Sequence, residues 1–275
     1  MEKRIIPLQQ RIEAFVRLGR YLAMAADDNR SGEVTDQPEL LRNLIESKSL
    51  ALAHNPWFIT ENINHSLQTW ADALTEQNIR EWLAPYSDEL KSIKEPFTVA
   101  VVMAGNIPLV GFHDFLSVLI SGNRFLGKLS ADDAYLLTAV AKLLVAIEPS
   151  FESYIEFTAE RLEAFDAVIA TGSNNTSRYF DYYFGRYPHI IRRNRNGIAV
   201  LTGNESAAEL QNLSHDIFRY FGLGCRNVSM IYVPRNYDFT PLAEACIQQY
   251  GLLLMHHKYM NNYTYQRAIL LMNSI

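Results

Sequence analysis

The chain has 275 residues, 48% hydrophobic and 20% charged, a globular composition that argues against disorder. With 25 basic and 30 acidic residues the net charge is -5, so no basic excess attracts a phosphate backbone and nucleic acid is not expected as a partner. Two cysteines, Cys225 and Cys246, exclude a disulfide framework, and apolar runs stop well short of a membrane span, so a soluble, reducing, cytoplasmic setting is expected.

From the N terminus, Pro7 suits the opening of a helix with Ile12, Phe15, Val16, Gly19 and Leu22 near one face. Residues 26–37 are polar and read as a loop. Asp36 and Pro38 mark a second helix, with Leu40, Leu41, Leu44, Ile45 and Leu52 as its apolar positions, and Pro56 interrupts it. Ile63, Leu67, Trp70, Ala71 and Leu74 then recur at helical spacing. A short segment around Trp82 leads into polar residues 87–95. Residues 1–95 are therefore predicted to be a helical N-terminal region whose apolar pattern serves packing.

The pattern changes at Pro96. Residues 97–104, FTVAVVMA, are short, apolar and β-branched, which predicts a buried strand. A helix is predicted over about 110–121, stopped by Gly122. A weaker strand follows over 124–128. Ser130 suits the cap of a helix over 131–148, with Asp132 and Asp133 at its positive end. Further strands are predicted at 153–157 and 166–170. This alternation predicts an α/β domain over 96–196 with a doubly wound, mostly parallel sheet. Residues 197–275 continue with a strand at 198–201, a helix at 206–220 and a strand at 228–233. A helix then starts at Asp238 or Thr240, which makes a partial second α/β domain.

Neither G-x-G-x-x-G after a strand nor G-x-x-x-x-G-K-[ST] occurs, so the usual nucleotide fingerprints are absent. The cysteines lack C-x-x-C spacing. His256 and His257 are adjacent, and neighbouring helix positions point about 100° apart, so they read as surface or packing residues and no metal is expected. Cys225 lies between Gly224 and Arg226 ahead of a strand. Glycine permits close approach of a substrate and arginine favours a thiolate, although a structural cysteine is the commoner reading from spacing alone. Cys246 in LAEACIQ suits a small buried helix position. Asn106, after the first strand in MAGNIPLVG, is either an amide donor at a strand's carboxyl end or a turn residue before Pro108. The aromatic run Tyr179, Phe180, Tyr182, Tyr183, Phe184 and Tyr187 is expected to pack in the core, with a subunit interface as second reading.

Four segments in this order resemble the LuxC-type acyl-CoA reductases, a branch of the aldehyde dehydrogenase superfamily, over about residues 97–234. MAGNIPLVG resembles the oxyanion-asparagine segment and places Asn106. FLGKLS resembles the cofactor lysine segment and places Lys128 and Ser130. DAVIATGS resembles the turn beside the cofactor pyrophosphate and places Thr171, Gly172 and Ser173. FGLGCRNVSMIYVP resembles the nucleophile loop and places Cys225. The resemblance implies an aldehyde-dehydrogenase-like fold and NADPH-dependent reduction of a fatty acyl thioester, carried by coenzyme A or an acyl carrier, to the aldehyde through an acyl-cysteine. It also implies a homo-oligomer or partner acyl-transfer proteins.

Three departures bear on that expectation. HIIRRNRNGIAVLTG lacks the glutamate with which ordinary aldehyde dehydrogenases activate water, which suits reduction over hydrolysis. Its Arg192, Arg193 and Arg195 suit either a phosphate of the cofactor or coenzyme A, or a solvated basic loop. Gly105 stands where many superfamily relatives carry tryptophan. Ala131 stands where some NAD-preferring relatives carry an acidic residue, so the 2′-phosphate is expected to be tolerated, with Asp132 next door opposing it. Fewer residues follow Cys225 than in related enzymes, which keeps open a second reading: a truncated or non-catalytic nucleotide or acyl-carrier binding module of the same fold.

Overall fold

The computed structural model describes residues 5–27 and 35–273. The loop expected at 26–37 lies largely outside them. The chain forms two compact units, Met1–Arg193 and Asn194–Ile275.

The first unit opens with five helices: α1 (Leu8–Ala26), α2 (Pro38–His54), α3 (Thr60–Ala73), α4 (Glu76–Leu83) and α5 (Ser87–Ser92). Of the apolar stripe predicted for α1, Ile12, Phe15, Gly19 and Leu22 are buried and Val16 is half-buried, and Leu18, which the pattern did not include, is buried with them. Asp36 does not cap α2, whose N-cap is Gln37; its carboxylate instead accepts from Tyr21 and pairs with Arg17. Strands β1 (Thr98–Val102), β2 (Arg124–Lys128), β3 (Ile155–Thr158), β4 (Ala167–Thr171) and β5 (His189–Arg192) form a parallel sheet in the order β3-β2-β1-β4-β5. Helices α6 (Phe112–Ile120), α7 (Leu136–Ile147) and α8 (Asn174–Phe184) connect them.

Alternation along β1 divides the interior. Val99 and Val101 face the core that α6 and α7 share with the N-terminal helices. Ala100 faces a smaller cluster with Val168, Ala170, Phe180 and Phe184. Both sheet faces are thus covered, which is why β1 reads as a continuous apolar run. The expected doubly wound sheet is present, with its strand order reversing beside β1, where open α/β sheets leave a crevice at their carboxyl ends.

The second unit has two parallel strands, β6 (Gly197–Val200) and β7 (Val228–Tyr232), joined through α9 (Ala207–Phe218) and followed by α10 (Thr240–Tyr250) and α11 (His257–Met272). Ser206 and Glu209 form the capping box that starts α9. Leu201, Leu210, Leu213, Leu242 and Ala245 make its core.

Three elements differ from expectation. The strand β5 lies where the sequence suggested only a basic stretch. The helix after Ser130 begins at Leu136, because Ser130 caps a 3-10 turn over Ala131–Asp133 and the Asp133 side chain is buried rather than placed on a helix end. Along α8, Phe180 and Phe184 are one turn apart and pack inward, while Tyr179, Tyr182 and Tyr183 lie on the other face and are exposed. Core packing is therefore wrong for those three tyrosines. Among the described residues, no helix is long and apolar enough to cross a membrane.

Candidate active site

The carboxyl ends of β2, β1 and β4 lie side by side and carry six of the seven residues singled out above. Asn106 is half-buried in the loop after β1. Lys128 ends β2 and its ammonium donates to the Glu160 carbonyl at 3.1 Å. Ser130 follows on the next loop, where its hydroxyl accepts from Asp132 N at 3.3 Å. Thr171 ends β4, Gly172 turns the chain, and Ser173 caps α8 by accepting from Thr176 N at 3.2 Å. Gly172 leaves little room, since a Cβ there would lie 2.9 Å from Phe180 and 3.1 Å from Thr176. A strand end, a tight turn and a helix N-terminus in succession present amides and a favourable dipole to an anion.

The Asn106 loop is held by buried polar ties. The Asn55 amide at the end of α2 donates to Asp132 O at 3.2 Å and reaches Gly105 O at 3.5 Å, so one side chain spans the loops after β1 and β2. Ser66 of α3 donates to Pro108 O at 2.9 Å. The Asp133 carboxylate accepts from Leu109 N at 2.8 Å, and Leu109 sits at φ 56°, a left-handed conformation that needs such support. Burial pushes the Asp133 carboxyl up to about 7, against the Leu109 hydrogen bond. Gly105 is explained by the same crowding. A Cβ there would meet Ser130 Oγ at 2.5 Å and Asp132 Cβ at 2.9 Å, so these loops exclude the tryptophan of many superfamily members. Asn55, Ser66 and Asp133 were not singled out by the sequence. Asp133 was read only as a charge at a helix start.

Two arginines considered for phosphate are already paired. Arg192 at the end of β5 binds the buried Asp114 carboxylate of α6 through contacts of 2.6 and 2.7 Å. Burial raises the Asp114 carboxyl, but hydrogen bonds and charge from His113 and Arg192 outweigh it and hold the group below the ordinary carboxylate range. Arg193 pairs with Asp181 at 2.9 Å.

Cys225 belongs to the second unit. It is exposed on the turn between α9 and β7. Ahead of it, Tyr220, Phe221 and Gly222 take φ of 55°, 60° and 72°, a left-handed run that reverses the chain out of α9. Phe221 anchors that reversal by stacking on His256, ring centroids 4.5 Å apart, and His256 also caps α11. His256 thus packs, one of the two roles, surface or packing, expected of the histidine pair. Cys246 is partly buried in α10, which raises its thiol pKa. Among the described residues no group of three or more His, Cys, Asp or Glu side chains could hold a metal.

Solved structures share this architecture at low identity. An oxidoreductase from Marinobacter aquaeolei matches with TM-score 0.64 and 12% identity, covering 90% of this chain and 51% of that one. Aldehyde dehydrogenase 21 from Physcomitrella patens, in complex with succinate, matches with TM-score 0.62 and 13% identity over 89% and 52%. Glyceraldehyde-3-phosphate dehydrogenase from Methanocaldococcus jannaschii, complexed with NADP, matches with TM-score 0.59 and 13% identity over 89% and 54%. The chain spans about half the length of these proteins, and the likeness shows an aldehyde-dehydrogenase-like fold. No curated protein matches the chain by sequence. The family model for acyl-CoA reductase (LuxC) matches residues 57–245, more than half of the chain, and the four segments quoted above fall inside that span. The chain belongs to the LuxC acyl-CoA reductase family.

Proposed function

We propose that this chain carries out the NADPH-dependent reduction of a fatty acyl thioester to its aldehyde, with Cys225 as nucleophile. The observation that carries this reading is an exposed cysteine on a glycine-bearing turn within the family match. Thioester chemistry requires a soft nucleophile able to displace a thiol. The Cys225 thiolate attacks the thioester carbonyl and its backbone N–H donates to the oxyanion, a role that the family resemblance gives to the Asn106 amide as well. Collapse breaks the bond to the carrier sulfur, and coenzyme A or an acyl-carrier thiol leaves with a proton. The absence of a water-activating glutamate preserves the acyl-cysteine from hydrolysis.

The donors at the strand ends fit a dinucleotide. Lys128 and Ser130 would bind the adenosine ribose and its phosphate, and Thr171, Gly172 and Ser173 would face the pyrophosphate at the start of α8. The reduced nicotinamide, when bound, supplies the hydride that takes the acyl group to the aldehyde oxidation level. Cys225 then departs as the thiolate, ready for another acyl group. A homo-oligomer or a partner acyl-transfer protein would suit such a cycle, in a cytoplasmic setting.

Incubation with a long-chain acyl-CoA followed by intact-mass measurement tests the reading. A covalent acyl adduct is expected on the wild type and none on Cys225→Ala. A folded wild-type chain that gains no adduct would reduce the protein to a non-catalytic binding module.

A further inference from the structure

We infer that Asn227 is the positioning residue that orients Cys225 for attack on a thioester, an inference that rests on the nucleophile role proposed above. Asn227 closes the four-residue turn that carries the cysteine. Its backbone N–H donates to Gly224 O at 3.0 Å, and its side-chain oxygen accepts from Gly224 N at 2.7 Å. The turn is therefore bonded twice between its first and last residues, and neither bond uses the Cys225 N–H. The other end of the amide donates to Asp216 O at 2.8 Å and Arg219 O at 3.1 Å. Asp216 lies in the last turn of α9 and Arg219 is its C-cap, positions whose carbonyls a helix does not itself satisfy as a rule. One side chain thus joins the turn to a helix terminus. The Asn227 carbonyl accepts from Gly197 N at 2.9 Å, which fixes the same residue to β6.

Those ties act on the turn itself, whereas the Phe221–His256 contact holds the segment ahead of it. Tyr220 and Phe221 occupy left-handed backbone conformations immediately upstream, which non-glycine residues disfavour. The chain leaves that run at Leu223 and is bonded back at Gly224. Without the amide, the turn that directs the Cys225 Sγ and backbone N–H keeps only the Asn227 N–H to Gly224 O bond of its two internal bonds and loses its tie to the end of α9. Attack on a thioester requires both at once, the sulfur over the face of the carbonyl carbon and the N–H at the developing oxyanion. A small alkylating reagent requires only an exposed thiolate.

The difference in requirements supplies the test. Single-turnover acylation of Cys225 by a long-chain acyl-CoA and alkylation of Cys225 by iodoacetamide are measured by peptide mass in the full chain. The wild type is compared with Asn227→Ala and Asn227→Asp, with circular dichroism to check folding. Asn227→Ala is expected to slow acylation about 10–100-fold while alkylation stays within about 3-fold of wild type. Asn227→Asp keeps the acceptor for Gly224 N but cannot donate to the helix carbonyls, so its acylation should fall between the two. If alanine disturbs folding, the isosteric aspartate decides alone: slowed acylation with near-normal alkylation supports positioning. Equal slowing of both reactions, or unaltered acylation in a folded variant, overturns it. A wild type that is alkylated but never acylated removes the nucleophile role itself, and the positioning role with it.

Discussion

The two units solve the problem of holding a loop in different ways. In the first, Phe15, Phe112, Phe115 and Leu143 are wholly buried, and the loops at the strand ends rest on that core through Asn55, Ser66 and Asp133. In the second, the most buried apolar side chain among the described residues, Leu210, retains 4% exposure, and Ile198, Val200, Met230 and Tyr232 on its two strands are more than half exposed. A two-stranded sheet with so small a core has little stability of its own. Its loops depend on local hydrogen bonds: the capping box at α9, the Glu205 carboxylate accepting from Thr202 and Gly203, and the Asn227 amide. Rigidity comes from layered burial in one unit and from backbone capping in the other.

The largest effect that would break this contrast comes from deleting core volume. Phe115→Ala should cost the first unit about 4 kcal/mol, the middle of the range for a wholly buried aromatic. Leu213→Ala, at 8% exposure in the second unit, should cost about 2 kcal/mol, because a loosely packed site collapses more readily. Native-state amide exchange, resolved by peptide, reads each unit separately. Equal costs would mean that the second unit is packed as tightly as the first.

An intermediate effect is expected at the Arg192–Asp114 pair. Arg192→Leu leaves a carboxylate that is 7% exposed without its guanidinium, and should destabilise the first unit by about 3 kcal/mol. The sign with pH follows from the depressed Asp114 pKa. In the wild type, the stability from this pair is present above the ordinary carboxyl range and is lost as pH falls through the depressed value. In Arg192→Leu the depression is relieved, so urea midpoints should decline less steeply toward low pH. Asp114→Asn combined with Arg192→Leu should recover most of the loss, because no buried charge remains.

The fold was legible where period and punctuation agreed. The stripe of α1, the run in β1 and the Gly122 stop all lie close to where pattern placed them, since burial on one or both faces writes itself into residue order. The edge strand β5 was not legible, because its four residues HIIR are half polar and one is an arginine used in a buried pair. The exposed tyrosines of α8 were misread because aromatic content says nothing about which side of a helix has a neighbour. In the site, the residues proposed to act are chemically distinctive, and resemblance to a family supplied their order. The residues that hold them are not distinctive. Asn55, Asp133 and Asn227 act through backbone groups of distant or looped segments, and such bonds leave no periodicity in the sequence.

The smallest effect sharpens the account of burial-based positioning. Asp133 is buried, one oxygen accepts from Leu109 N, and its Oδ1 has no hydrogen-bond partner among the described residues. Burial therefore raises the folded-state value from the ordinary 3.8 to about 7. A group raised in this way favours the folded chain fully below the unfolded value, and that contribution disappears as pH climbs through the folded value. A shift of that size sets a ceiling of about 4 kcal/mol, which local relaxation and water entry should reduce to about 2 kcal/mol. Asparagine is isosteric, keeps an acceptor for Leu109 N and carries no charge. Asp133→Asn should thus match the wild type near pH 4 and exceed it by about 2 kcal/mol at pH 8, measured by urea midpoints. Asp133→Ala should gain nothing at pH 8, because it discards the bond that supports the left-handed Leu109. A wild type and Asp133→Asn pair that differ by the same amount at both pH values would show that this carboxyl does not titrate with folding, and that its role in holding the Asn106 loop is independent of charge.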